Sequence, residues 1–423
     1  MIRFTFTGKL KLIPESEKFI PYEMRKFDSG WMRRQLCFNA TDGDNSHMFI
    51  ISGGHFPERG AKDVVISVSP SERDEAGNII EKGGRVEIPW KDRLLQKSID
   101  SVADFRKCTL DLEKYGRRKM LKALADKIHE GSSVSDEDLK AVDLTDESQV
   151  ADALAESNKL RSEFISEWDF AEAVYNALNS GKYNNTVFTI KGVIECQWGD
   201  AKQRWYETMK PQKIYVAKSD AEESCVGSTT LYFKSDAVDD NDVDSKGKYR
   251  ISAYTMEYNS GTKGNVPHPI QIVIPRELPS KETDSGSKPK KVISGEDRAK
   301  HLVSKFVIDD DSVKEFGLEF DILDGAQKVE IDESVLTPEQ LEDLEFGLIT
   351  MEDIRNELGG SVYGDRVTEN RYRSIVRGYT KGAKDTTYTP EDLVFPKREE
   401  IDDDELDSIF NVENLADDED EDL

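Results

Sequence analysis

The sequence predicts an α+β fold: two small antiparallel β modules separated by a helical insertion and followed by a linker, a small helical unit and an acidic tail. Three observations carry this expectation. Apolar residues alternate with period two through residues 1–90 and again through 185–275, the pattern of half-buried strands. Between them, over 91–184, the spacing becomes helical. Charge then segregates, because residues 399–423 hold fourteen Asp or Glu and no Lys or Arg.

The first module opens on Ile2 to Leu12, with Ile2, Phe4, Phe6, Gly8, Leu10 and Leu12 on one face and Arg3, Thr5, Thr7, Lys9 and Lys11 on the other. Further strands are expected at Trp31 to Ala40, His47 to Ser52, Val64 to Val68 and Arg85 to Ile88, separated by Gly, Asp, Asn and Pro clusters. In the insertion, Leu121, Leu124, Ala125 and Ile128 mark one helix, and Phe164, Trp168, Ala171, Val174 and Leu178 another that Asn179, Ser180 and Gly181 close. Strands return at Thr186 to Cys196, Lys213 to Ala217, Thr229 to Phe233, Tyr249 to Tyr258 and Pro269 to Ile274. The two modules begin alike, Phe4 to Leu10 aligning with Phe188 to Ile194, which raises a duplication as one explanation and chance as the other. Gly8 and Gly192 fall inside these strands, where glycine marks a bulge or sharp coil.

Residues 276–298 are rich in Pro, Ser, Gly and Lys and read as a flexible linker. From 299 to 396 a mostly helical unit is expected: Thr337-Pro338-Glu339-Gln340 is a capping box, Thr389-Pro390-Glu391-Asp392 starts a helix similarly, and Gly359 and Gly360 stop the helix that Thr350 begins. Residues 397–423 have too few apolar groups to fold alone and should be a disordered tail.

At 423 residues the chain is long enough for two or three cores, and 37% hydrophobic against 34% charged residues describes a polar but globular protein. Cys37, Cys108, Cys196 and Cys225 show no C-x-x-C spacing, so neither a zinc knuckle nor a disulfide framework is indicated and a reduced cytoplasmic setting is expected. No run of eighteen apolar residues offers a membrane span. Phosphate-loop, zincin, nucleophile-elbow and dinucleotide motifs are absent from the sequence, and the five histidines are far apart, so a binding protein without cofactor or metal is expected rather than an enzyme. Asp240-Asn241-Asp242-Val243-Asp244 alternates carboxylates like a calcium loop but has Ser245 and Ile251 where glycine and the bidentate glutamate belong, and it reads as a solvated acidic loop.

The net charge of −27 is hostile to nucleic acid, yet residues 1–130 carry 24 basic against 20 acidic side chains, and 185–276 carry twelve of each, with five acids in one loop. Single strands are held by positive charge along the phosphates and by rings under the bases. Arg3, Lys9 and Lys11 share a strand face, and Trp31 precedes Arg33 and Arg34. Trp198 precedes a turn region holding Lys202, Arg204, Trp205 and Tyr206, and Arg250, Tyr254, Met256 and Tyr258 share another face. The alternative for each ring is core packing, and for each cation ordinary solvation.

With these strands and the acidic end in view, the arrangement resembles the single-stranded-DNA-binding proteins of bacteria and large tailed phages, in which one or more OB-folds precede a flexible acidic tail. The resemblance covers the two β modules and residues 399–423 in architecture rather than through a long sequence signature. It implies OB-like barrels over 1–90 and 185–275, and single-stranded DNA, with RNA as the other option, bound without sequence preference as an accessory to replication or recombination. It also implies a tail that recruits replication or repair proteins, with Phe410, Leu415 and Leu423 as docking residues. The chain departs from the bacterial form in the insertion, in the unit from 299 to 396 and in lacking a Pro-Phe terminus. The second reading is a phage assembly or transcription-associated factor that binds other proteins and not nucleic acid.

Overall fold

Alternation of side chains is realised most clearly in β1 (Ile2–Leu12), where Ile2, Phe4, Phe6 and Leu10 are buried and Arg3, Lys9 and Lys11 exposed. The computed structural model describes residues 1–17, 19–74, 78–199, 202, 204–259, 263–283, 291–329, 336–351 and 362–395. After β1 come β2 (Tyr22–Lys26), β3 (Met32–Asp42), β4 (Asn45–His55), β5 (Val64–Val68), β6 (Arg85–Pro89), β7 (Cys108–Asp111), β8 (Arg161–Phe164), β9 (Val187–Gly199) and β10 (Arg204–Val216). Then follow β11 (Ser224–Phe233), β12 (Lys248–Asn259), β13 (Gly264–Pro275), β14 (Lys314–Val329) and β15 (Val362–Ile375). The main helices are α1 (Arg117–His129), α2 (Asp136–Ala141), α3 (Val150–Lys159), α4 (Glu167–Asn179), α5 (Gly295–Val303) and α6 (Pro338–Glu345).

Among the described residues the chain is thus mixed α/β, mostly strand, with one fifteen-stranded sheet that takes in every strand named above except β5 and β6, which pair with each other, together with the two-residue strands Val238–Asp239 and Lys384–Asp385. That sheet closes on itself twice. β1 pairs β3, β3 pairs β4, β4 meets β10 in parallel at Phe49 and Met209, β10 pairs β9, and β9 returns to β1. The second ring repeats the order: β11 to β12 at Tyr232 and Tyr254, β12 to β13, β13 to β15 in parallel, β15 to β14, and β14 back to β11. In each ring the strands, counted along the chain, stand in the order first, second, third, fifth, fourth. β1 also pairs β11, which fuses the two rings, and one apolar cluster runs from Phe4, Phe6, Phe38 and Phe49 through Phe188 to Phe233, Phe306 and Phe316. Each fully buried Phe in it contributes roughly 1.5–3 kcal/mol.

Each ring has a helix between its third and fourth strands. Ser166 caps α4, whose buried Phe170, Ala171 and Val174 face the first ring. Ser294 caps α5, which buries Ala299, Leu302 and Val303 against the second. The helices α1 to α3 form a separate small cluster around Leu121, Leu124, Leu139, Val142 and Val150.

This architecture corrects the expected division. β9 and β10, expected to open the second module, are the last two strands of the first ring, because β1 needs an antiparallel partner on its free edge and β9 supplies it from Lys9↔Val187 to Ile2↔Ile194. The similarity of Phe4 to Leu10 and Phe188 to Ile194 is therefore a similarity between paired strands of one ring. Phe4 lies opposite Gly192 and Phe188 opposite Gly8; a methyl at Gly192 would sit 2.7 Å from the Phe4 ring and 2.1 Å from the Lys210 carbonyl oxygen. The 299–396 unit is not mostly helical. It supplies β14 and β15, and Phe316, Leu318 and Phe320 of β14 are fully buried. The capping box at Thr337 does start α6, and the one at Thr389 starts a short 3-10 turn over Pro390–Leu393. The insertion contributes β7 and β8 to the sheet as well as its helices. In the expected linker, Lys281–Thr283 pairs with Lys291–Ile293. The Gly359-Gly360 stop and the tail lie outside the described residues. No helix among the described residues is long and apolar enough to cross a membrane.

Candidate nucleic-acid interface

Strand register decides which predicted side chains can meet. Side chains directly opposite each other on paired strands share a face, so Arg3 stands beside Val193 of β9 and Ser228 of β11, and Thr5 beside Lys191. Lys191 stands beside Lys213 of β10, and Lys213 beside Thr109 of β7. One solvent face therefore runs across β1, β9, β10 and β7. On β9 the acid of this face is Glu195, which is ion-paired with Lys210. Arg3, Lys9, Lys11, Lys191 and Lys213 form no ion pair among the described residues.

The same face continues into the second ring through β11. Ser228 and Tyr232 lie on one side of that strand, four residues or about 13 Å apart, and Tyr232 is the partner of Tyr254 on β12. At this junction the Met1 amino group donates to the Met256 carbonyl oxygen at 3.3 Å and pairs with Glu257 at 2.8 Å. Tyr254 and Met256 are half-buried and Tyr258 is 69% exposed, while Ile251, Ala253 and Thr255 point inward. The expected one-sided placement of Arg250, Tyr254, Met256 and Tyr258 is what the strand shows. On the far side of β11 the surface changes sign, with Glu315, Glu319 and Asp321 of β14 beside Tyr232, Ser228 and Val226. Arg373 pairs with Asp321 there at 2.7 Å.

Other predicted contacts are placed differently. Arg33 and Arg34 are buried, because β2 and α4 cover that part of β3. Arg33 pairs with Glu23 at 2.5 Å. Arg34 donates to Glu172 at 2.8 Å and to the Trp168 carbonyl oxygen at 3.1 Å, with its guanidinium 4.3 Å from the Trp168 ring centre. These two arginines hold the fold together and leave no charge for a phosphate. Trp31 packs on Phe56 at 4.7 Å and covers Gly54, where a methyl would lie 2.5 Å from the indole. Arg250 is drawn to Asp242 at 2.8 Å and Gln271 at 2.7 Å, and this bond holds the Asp242 carboxyl below its usual range. Trp205 joins Trp198, His268 and Phe395 in an aromatic cluster, its ring 4.8 Å from His268 and 5.1 Å from Phe395. Beside it, Lys202 and Arg204 are exposed and Arg204 lies over Tyr206 at 4.7 Å. Phe410, Leu415 and Leu423 lie outside the described residues.

A cleft of about 540 Å³, not expected from the sequence, opens where this face meets α1. Lys114, Lys119, Lys122 and Lys213 line it with Tyr115 and Tyr215. Arg118 on its wall is held by Asp111 in a bidentate pair at 2.5 and 2.8 Å, and Lys114 pairs with the exposed Asp143 at 3.3 Å. Lys119 and Lys122 form no ion pair among the described residues. The signal was present in the basic run Arg117, Arg118, Lys119, Lys122; what the sequence could not show is that β10 brings Lys213 and Tyr215 against it.

The thiols take no part in this face. Burial pushes the Cys37 thiol up to about 11 and holds those of Cys108 and Cys225 well above the ordinary thiol range.

No family model matches the sequence, and no curated protein matches it. Among solved structures, a deletion mutant of the single-stranded DNA binding protein from Thermus aquaticus aligns over 77% of this chain and 87% of that one, at 7% identity and a TM-score of 0.25. A likeness of that depth carries no argument about fold or ligand.

Proposed function

We propose that this chain is a non-enzymatic protein that binds single-stranded DNA without sequence preference, along the solvent face shared by its two rings. The observation that carries the reading is the continuity of that face. Tyr258, Tyr254 and Tyr232 lead to Arg3, then to Lys191 and Lys213, and end in the cleft with Tyr115 and Tyr215. Cations that no ion pair engages follow a phosphate backbone, and tyrosines on a solvent face offer stacking platforms that any base can use.

Both rings, on this reading, are OB barrels: five-stranded closure in a common strand order, with a helix before the fourth strand, supports it. In that fold the second and third strands and the loop between the fourth and fifth meet oligonucleotides. These are β12 and β13 with Tyr254 and Tyr258 in the second ring, and the β9–β10 turn with Lys202 and Arg204 in the first. The acidic segment from 399 to 423, through Phe410, Leu415 and Leu423, would then recruit replication or recombination proteins in the cytoplasm.

The test is titration of a fluorescent oligothymidylate at low and at high salt, with the full chain and with a chain lacking 399–423. Binding that weakens as salt rises supports the proposal. Absence of binding at low salt by both proteins would overturn it and leave the protein-interaction reading, and tighter binding of the RNA counterpart would reassign the ligand.

A further inference from the structure

Three side chains, from β9, β10 and β13, meet at the seam between the rings. Cys196 on β9 lies opposite Glu207 on β10, and His268 arrives from β13 of the other ring. One donor atom from each lies within 4.8 Å of the other two. His268 is 1% exposed, its Nε2 is 3.3 Å from Glu207, and its Nδ1 is buried with no hydrogen-bond partner. An imidazole nitrogen sealed from water without a partner is costly, so the ring is held in this position at a cost to the fold, with Nε2 as the nitrogen that faces the Glu207 carboxylate.

We propose that Cys196, Glu207 and His268 bind one divalent transition-metal ion of the zinc class. The donor set is a thiolate, an imidazole and a carboxylate, which suits zinc and its spectroscopic surrogate cobalt far better than calcium or magnesium. Donors around a tetrahedral zinc stand roughly 3.5 Å apart, and Glu207, whose side chain is 49% exposed, has the freedom to close the remaining distance and gives the ion a path from solvent. Burial first, and then the carboxylates of Glu207, Glu257 and Glu195, raise the Cys196 thiol, so the ion takes the place of the thiol proton on binding. The bound ion fastens the β9–β10 hairpin of the first ring to β13 of the second, next to Trp205, whose ring stands edge-on to His268. This assignment does not depend on nucleic-acid binding.

The test uses the full chain, stripped with a chelator and titrated with Co²⁺, then with Zn²⁺. One equivalent of Co²⁺ should produce the near-ultraviolet absorption of a cobalt–thiolate bond and the visible bands of a tetrahedral ion, and Zn²⁺ should displace it. Glu207→Gln, at a half-exposed position, should weaken binding at least about tenfold, and His268→Ala should abolish the absorption. His129→Ala, on the exposed end of α1, should change neither. Failure of the native chain to show a cobalt–thiolate band overturns the proposal irrespective of how any variant folds, and so does unchanged affinity in Glu207→Gln.

Discussion

Tyr254 and Arg34 both lie within strands, and their surroundings give them opposite roles. Tyr254 faces solvent beside Tyr232 at the junction of the rings, whereas Arg34 is sealed beneath α4 with its charge matched by Glu172 and its plane over Trp168. Truncating Tyr254 to Ala removes a stacking surface along with some half-buried packing, so oligothymidylate affinity should fall about tenfold, the value of one base platform, with only a small drop in the urea midpoint. Arg34→Met should do the reverse: DNA affinity stays, and stability falls by about 2–3 kcal/mol as the charged hydrogen bonds disappear. A Tyr254→Ala protein that binds normally removes that ring from the interface; an Arg34→Met protein of native stability but weakened binding would return Arg34 to it.

At the scale of elements, the paired strands β1 and β9 depend on glycine opposite phenylalanine. Replacing Gly192 by Ala drives a methyl into the Phe4 ring and the Lys210 carbonyl; overpacking of this kind costs typically about 1–3 kcal/mol. Urea unfolding should report that loss, and a Gly192→Ala chain as stable as the native one would show that β9 can shift away from β1. Most strands were legible from sequence because their alternation is strict: β1 was bounded residue for residue, and Tyr249 to Tyr258 within a residue at each end. The helices around Leu121 and Trp168 were legible for the corresponding reason, a period near 3.6 ending at a glycine. β14 was missed although Phe316, Leu318, Phe320 and Ile322 alternate, since strong capping boxes nearby argued for helix. β15 is polar along Val362–Ile375 and offers almost no alternation to read. Partner choice was not legible at all, because which edge of β1 receives β9 depends on closure of a ring and not on either strand alone. The same gap hid the cleft, whose walls come from α1 and β10, and it made Arg33 and Arg34 look available.

For the whole molecule, the rings and not the expected modules should be the units that survive cutting. A chain of residues 1–90 has three of the first ring's five strands and leaves Phe4, Phe6, Phe38 and Phe49 without the closing pair. It should be unfolded by circular dichroism, while 1–217, which holds all five strands and α4, should fold cooperatively. A well-dispersed spectrum from 1–90 would restore the expected boundary.

The continuity of the solvent face across both rings has its own measurable signature, because each cation that meets a phosphate releases counterions. For single strands the slope of log affinity against log salt changes by about 0.7 for each phosphate that is no longer neutralised. Replacing Arg3, Lys191 and Lys213 together with Gln should therefore make the slope shallower by about 2. Arg250→Gln should leave it nearly unchanged, since Asp242 already holds that guanidinium. Combining the triple change with Tyr254→Ala should lower affinity by close to the product of the separate effects, because the sites touch different nucleotides of one bound strand and share no side-chain partners. If the triple variant kept the native slope while Arg250→Gln flattened it, the strand would run over β12 alone, and the fused rings would present two unrelated surfaces.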